Sequence, residues 1–126
     1  MKRVYESKNA PAPVGPYSQA VEADGWVFCS GQVPIDPVTN EVLTGDIKEQ
    51  TKLTLSNIGA VLKAADLTFD NIVKTTIFLT DMKDFAAVNE LYAKCFTSKF
   101  PARSTIAVAG LPKGVSVEIE VTARRG

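Results

Sequence analysis

Histidine is absent from the 126 residues of this chain. Its absence excludes Ser-His and Cys-His nucleophilic systems and every metal site that depends on imidazole. Cysteine is scarce as well: Cys29 and Cys95 are too few for a structural zinc site, and their separation matches no CxxC redox pattern. We therefore expect chemistry without a metal or cofactor. The two thiols are typical of free cysteines in a reducing compartment, and a disulfide between them is the alternative.

Neither an excess of one charge nor a long apolar run is present. Fourteen basic residues balance fourteen acidic ones, and the only adjacent basic pairs lie at 2–3 and 124–125. Nucleic-acid binding depends mainly on clustered Lys and Arg, so a neutral chain without a basic stripe disfavours it. No segment resembles a signal peptide or reaches the length of a membrane span. The sequence predicts no nucleic-acid partner, no membrane association and a cytoplasmic location.

The residues that are present predict one domain over residues 1–126. Strands are indicated by β-branched and alternating segments, helices by apolar residues at a spacing of three and four, and a hairpin turn by Asp24-Gly25. The predicted elements in chain order are an extended proline-rich segment over 9–16 leading into 17–21, a strand over 26–31, a helix over 46–65, a strand over 73–80, a helix over 85–97, and strands over 103–108 and 115–123. Asp46 with Glu49 forms a capping-box pattern, and Asp84 is placed to cap the second helix.

Two helices with about five strands in mixed connection predict an α+β domain, with a mixed sheet and both helices on one face. The strand over 73–80 carries Val73, Ile77 and Leu79 on one side and Phe78 on the other. An apolar sheet face that the helices do not cover is expected to meet another subunit. We therefore expect self-association.

Three groups of residues could carry chemistry. The final strand alternates, so Glu118 and Glu120 share its polar side, where they are either exposed carboxylates or the wall of a cleft that moves a proton. Arg103 follows a stiff Pro101-Ala102 and is either a surface charge or a guanidinium that binds a carboxylate bidentately. Tyr17, beside a turn, is usually a packing residue, and the Ser30-Gly31 pair after a strand is usually a turn, although a glycine N–H can also donate to a ligand.

Taken together, these segments resemble the Rid (reactive intermediate deaminase, or YjgF) family along nearly the whole chain. The matching segments are APAPVGPYSQA at 10–20, SGQVPIDP at 30–37, VKTTIFL at 73–79, DFAAVNELY at 84–92 and PARSTIAVAGLPKGVSVEIE at 101–120. The last of these is long and ungapped. The resemblance implies a chorismate-mutase-like α+β fold and a homotrimer with sites between subunits.

The resemblance also implies an activity and a site. Deaminases of this family hydrolyse small 2-imino acids or their enamine tautomers, such as 2-iminobutanoate and 2-iminopropanoate, to 2-keto acids and ammonia. Arg103 matches the arginine that binds the substrate carboxylate, and Glu118 matches the acidic residue linked to the hydrolytic water, with Tyr17 assisting. The substrate-binding positions are Ser30, Gly31, Asn89 and Thr105.

Thr105 departs from the family pattern, since many bacterial members have cysteine there, and we expect its backbone more than its side chain to serve the ligand. Two other functions stay open at this point. One is a ribonuclease or translation inhibitor, against which the neutral charge and absent histidine argue. The other is a non-catalytic small-ligand-binding regulatory protein, against which the pair of Arg103 with Glu118 argues.

Overall fold

A computed structural model describes residues 1–126. It contains six strands and two α-helices, joined by loops and three short 3₁₀ turns. The elements are β1 Arg3–Tyr5, β2 Ala20–Ala23, β3 Trp26–Gln32, α1 Ile47–Ala64, β4 Ile72–Leu79, α2 Phe85–Ala93, β5 Ala102–Ala107 and β6 Val117–Arg124. The 3₁₀ turns cover Phe69–Asn71, Met82–Asp84 and Pro112–Gly114.

All six strands form one mixed sheet with the order β1-β2-β3-β6-β4-β5. Only β4 and β5 run parallel, and α2 supplies the crossover between them. Helix α1 packs on β3 and β6, and α2 packs beside α1 on the same face. The core lies between this helical layer and the sheet, and the predicted α+β architecture is confirmed.

The Asp24-Gly25 turn joins β2 to β3 as predicted. Both residues have positive φ, 53° at Asp24 and 81° at Gly25, which a two-residue type I′ hairpin requires. Ala23 and Trp26 pair directly across the turn. The strand before the turn is Ala20–Ala23, so it begins within the segment 17–21, and the short β1 on its outer edge was not predicted.

The two helices differ from expectation at their ends. Asp46 accepts a hydrogen bond from the Lys48 N–H (3.0 Å), but Glu49 pairs with Lys52 (3.2 Å) and does not complete a capping box. Asp84 makes no side-chain cap at α2. Helix α2 ends at Ala93, before the predicted residue 97, because the next three N–H groups bond three residues back and tighten the chain into 3₁₀ geometry.

On β4, the predicted side of the sheet is wrong for Val73. A β-bulge between Ile72 and Lys74 shifts the alternation. Ile72 therefore lies in the core with 4% exposure, while Val73 faces out with 40%. Ile77 and Leu79 lie in the core as predicted, and Phe78 faces the other side.

The face without helices, here called the open face, presents several aromatic and aliphatic side chains. Trp26, Phe28 and Ile106 are 41%, 47% and 45% exposed, and Phe78 pairs with Ile106 across the sheet. Such an apolar face is unusual for a chain that stays monomeric. No helix is long and apolar enough to cross a membrane.

Both cysteines are free thiols, so the alternative of a disulfide between them is wrong. Cys29 is buried in β3, and burial raises the pKa of its thiol to about 12. Burial also raises the pKa of Cys95. A thiolate, the reactive form, is therefore disfavoured at both positions.

Candidate active site

Arg103 lies near the start of β5 and points to the helical face of the sheet. Its Nη1 donates to Oδ1 of Asn89 at 2.6 Å. The guanidinium carbon lies 5.4 Å from the ring centre of Phe85 and 5.0 Å from that of Tyr92, both within cation–π range. The Asn89 acceptor is a neutral amide, so the positive charge of Arg103 is held in place without being neutralised.

The three residues around Arg103 come from one face of α2. Phe85, Asn89 and Tyr92 are separated by four and three positions, the spacing that aligns side chains along a helix. On the sheet side, Arg103 pairs in parallel register with Thr75 of β4. The pocket around Arg103, here called the arginine pocket, has a volume of about 380 Å³ and is also lined by Ala93, Phe100 and Pro101.

Glu118 lies on β6 and points to the open face, where it lines a cleft of about 560 Å³. Tyr17, Ser30 and Gly31 line the same cleft, here called the glutamate cleft. The remaining walls come from the proline-rich segment, the loop after β3, the turn before β6 and β6 itself; they include Pro11, Ala12, Val14, Val33, Ile35, Asn40, Lys113 and Glu120.

A β-bulge brings Gly31 against the Glu118 carboxylate. Cys29 pairs with Val121 and Gln32 with Ile119, so β3 carries one residue more than β6 between these pairs. A β-carbon at position 31 would overlap Oε2 of Glu118. The absence of a side chain at Gly31 therefore allows the carboxyl group to lie against the backbone of β3.

Ser30 and Tyr17 are positioned by local hydrogen bonds. The Ser30 hydroxyl donates to the Ser18 carbonyl at 2.6 Å, so its lone pairs are the groups left for a ligand. The Tyr17 hydroxyl accepts from the Val14 N–H at 3.3 Å, and Tyr17 is 53% exposed. Tyr17 directly follows the proline-rich segment, whereas Ser30 belongs to β3 and its N–H donates to the Gln19 carbonyl at 2.9 Å. The buried Gln19 side chain in turn donates to the carbonyls of Ser7 (3.1 Å) and Pro11 (2.8 Å), which holds the segment in place.

Burial raises the pKa of Glu118, and the neighbouring Glu120 raises it further. The two carboxylates are two residues apart on one strand and face the same side. A glutamate with a raised pKa exchanges protons closer to neutral pH, which suits general acid–base chemistry. Lys113 is the cation among the residues lining the cleft.

The structure divides the predicted site residues into two groups. Arg103 and Asn89 lie in the arginine pocket, while Tyr17, Ser30, Gly31 and Glu118 lie in the glutamate cleft. Arg103 is in register with Thr75, and Glu118 with Phe78. Thr75 and Phe78 are three residues apart on β4, so the two groups occupy opposite faces of the sheet within one chain.

Thr105 lines neither pocket. It lies two residues after Arg103 on the same side of β5 and pairs with Ile77. Its hydroxyl oxygen is buried and has no hydrogen-bond partner within the chain. Since β5 is the outer strand of the sheet, its free backbone edge lies next to this residue.

Sequence reasoning missed the aromatic residues around Arg103. Phe85 and Tyr92 recur at the spacing that is typical of the apolar stripe of a helix, and Tyr92 is indeed buried. The four-and-three spacing around Asn89 is the signal that could have linked them to the arginine.

The sequence model of the family described as Endoribonuclease L-PSP matches residues 7–125. The chain belongs to this family, the Rid or YjgF family, and the resemblance stated from its motifs is confirmed.

Individual relatives match over nearly their full length. The 2-iminobutanoate/2-iminopropanoate deaminase of Capra hircus is 47% identical over 126 residues, covering 100% of this chain and 92% of that protein. The structure of a Rid family protein from Yersinia pestis has a TM-score of 0.96 at 51% identity and covers 98% of this chain and 99% of that one. E. coli TdcF with bound serine has a TM-score of 0.94 at 42% identity, with 98% and 99% covered.

Proposed function

We propose that this chain hydrolyses small 2-imino acids, or their enamine tautomers, to 2-keto acids and ammonia. The observation that carries the proposal is the arrangement of Arg103. Its guanidinium is bracketed by two rings and bonded to the neutral Asn89 amide at 2.6 Å, so it keeps its charge and most of its N–H donors for an anion. A planar carboxylate is the partner that such a guanidinium binds bidentately.

Glu118 is proposed to handle the water. In the protonated imine the C=N carbon is electrophilic, and water adds to it as Glu118, assisted by Tyr17, takes a proton from the water. The resulting carbinolamine carries the former water oxygen and the amine on one carbon. Glu118 then returns that proton to the nitrogen, which makes ammonia the leaving group. As the C–N bond breaks, the carbinolamine hydroxyl loses its remaining proton to Glu118 and becomes the carbonyl of the 2-keto acid. This sequence of steps balances without a metal, an oxidant or a cofactor.

The proposed site is shared between copies of the chain in a homotrimer. Arg103 and Glu118 lie on opposite faces of one sheet, so one chain does not bring them to one substrate. The exposed apolar side chains of the open face support contact with a second copy. Across that contact the arginine pocket of one copy would meet the glutamate cleft of the next, with Ser30, the Gly31 backbone and Thr105 lining the substrate.

Two relatives support the small carboxylate ligand. The goat protein is named for two short 2-imino acids, and the E. coli TdcF structure holds serine. An imino acid and serine share a carboxylate next to a carbon that bears nitrogen. This common part is the part that Arg103 would bind.

Removal of the guanidinium tests the proposal. In an assay that follows the loss of the imine formed from threonine by a threonine dehydratase, wild-type protein should accelerate keto-acid formation and R103A should not. R103A should keep the elution volume of the wild-type oligomer. Unchanged deamination by R103A would remove the carboxylate-binding role.

The name of the family model favours ribonuclease as a second candidate function. Cleavage of RNA by highly purified protein, repeated with R103A, tests it. A cleavage activity that follows the protein through purification, with no deamination, would replace the proposal. Binding of a keto acid without either activity would instead indicate a ligand-binding regulatory protein.

A further inference from the structure

Behind the Arg103 side chain lies a buried hydrogen bond that the deamination steps do not use. The hydroxyl groups of Thr75 and Tyr92 are 2.7 Å apart, and the two residues are 1% and 4% exposed. We propose that Thr75 and Tyr92 are positioning residues, which fix the aromatic ring on which the Arg103 guanidinium rests and so orient the carboxylate-binding edge. This inference rests on the proposed function, because it assigns Arg103 to the substrate carboxylate.

The Tyr92 ring is held by a hydrogen bond and by a neighbouring aromatic ring. Its hydroxyl bonds to Thr75, and its ring packs against Phe96 with centres 5.0 Å apart. Phe96 in turn meets the rings of Phe69 and Phe100 edge to face, at 6.0 Å each. Because a buried hydrogen bond is costly to leave unmade, the Tyr92 ring has one preferred position.

Thr75, which holds the Tyr92 hydroxyl, lies beside Arg103 on the neighbouring strand. Thr75 of β4 and Arg103 of β5 are direct partners in the parallel register. The Tyr92 ring bridges them, with its hydroxyl on Thr75 and its face 5.0 Å from the guanidinium carbon. A shift of the ring would therefore move the surface that supports the guanidinium, and a guanidinium whose two donors no longer match the carboxylate oxygens binds the substrate more weakly.

The remaining contacts define which part of Arg103 stays available. Phe85 faces the guanidinium from a second direction at 5.4 Å, and Asn89 accepts one N–H from Nη1. The ring faces of Phe85 and Tyr92 are apolar surfaces that leave no acceptor for the other donors. The guanidinium edge away from Asn89 is thus kept for an incoming carboxylate.

The experiment combines kinetics with a direct view of the arginine in the intact oligomer. ¹⁵N-arginine labelling gives the Arg103 Nε–H resonance, assigned by its loss in R103A. Y92L removes the ring and should shift this resonance and raise KM about 3- to 30-fold, with kcat within about twofold. Y92F combined with T75V keeps the ring, leaves no hydroxyl unpaired and should raise KM about 2- to 5-fold.

Tyr5 provides a matched control. Its ring also lies beneath a guanidinium, that of Arg3 at 5.4 Å, and its hydroxyl is also hydrogen-bonded, to Glu22 at 2.7 Å. It lines neither the arginine pocket nor the glutamate cleft. Y5F should therefore leave KM and the Arg103 resonance at their wild-type values.

The outcomes separate the inference from the proposed function. If Y92L has the wild-type KM and an unchanged Arg103 resonance, the positioning role is wrong. The same holds if Y92L has a lower melting temperature while the Arg103 resonance is unchanged. If Y92L does not fold, the double variant decides on the same two readouts. If wild-type protein deaminates nothing, the proposed function fails, and the resonance together with its response to added 2-oxobutanoate still tests the positioning role.

Discussion

Glu118 combines a raised pKa with a location in an open cleft. Its pKa lies above that of an ordinary glutamate because of burial and the charge of Glu120. Since the folded chain binds this proton more tightly than the unfolded chain, Glu118 lowers the free energy of unfolding as the pH rises through its folded pKa. The carboxylate form that accepts a proton is, in turn, the major form above that pKa.

We expect the protonation of Glu118 to cause the fall in kcat at low pH, the acidic limb of the plot of kcat against pH. E118Q should lower kcat by about 10²- to 10⁴-fold, remove that limb and leave the affinity for a keto-acid product nearly unchanged. E120Q should move the limb to lower pH, because it removes a charge that raises the pKa of Glu118. Plots of kcat against pH for the three proteins check this. Loss of product affinity with turnover spared would make Glu118 a binding residue instead.

Gly31 has no side chain, and this leaves room for the Glu118 carboxyl group against β3. In G31A the added methyl group would overlap the carboxylate, so the side chain of Glu118 has to turn away from β3. We expect kcat to fall about 10- to 100-fold while the fold persists. G110A is the matched control, since a β-carbon there meets nothing within 4 Å. Equal activity of G31A and G110A would contradict the role.

At the scale of the helices, the two predicted caps are a matched pair. Asp46 accepts a hydrogen bond from the Lys48 N–H, whereas Asp84 forms no side-chain cap. D46A should lower the free energy of unfolding by about 1 kcal/mol, and the melting temperature by about 3–5 °C. D84A should change both by much less. Thermal unfolding at one fixed protein concentration checks the pair, and equal losses would contradict the assignment.

Much of this architecture follows from local patterns. Apolar spacing located both helices, and the positive φ values demanded by the Asp24-Gly25 turn fixed the hairpin. The bulge at Ile72 and the early end of α2 depend on how β4 pairs with β6 and on how the chain turns into β5, which no local pattern encodes. Tertiary pairing decided these points.

The sequence likewise predicts part of the candidate site. The alternation of β6 places Glu118 on its polar side. The face that Arg103 occupies relative to Glu118 depends on the register of β5 against β4, because a shift by one residue would reverse it. The sequence therefore indicated the residues but not their separation onto two faces.

At the scale of the whole molecule, a shared site makes a quantitative prediction. If Arg103 of one copy works with Glu118 of the next in a ring of three, a mixed trimer of R103A and E118Q chains holds one intact site. Random mixing in equal amounts puts about three-quarters of trimers in mixed form, so about one-quarter of wild-type activity should return. Co-expression of differently tagged chains checks this, and hybrids purified through both tags should have about one-third of the wild-type activity per trimer, since each holds one intact site of three. Hybrids no more active than the parents would place both residues in the site of a single copy.

The separation of Arg103 and Glu118 by the thickness of a sheet also has a consequence for a cell that makes this protein. If the site is shared between copies as proposed, a single chain holds two incomplete parts of a site, and the first copies synthesised would be inactive until they associate with others. The activity per chain would then rise steeply with the concentration of the protein before it reaches a plateau. Dilution alone would abolish the activity without any inhibitor.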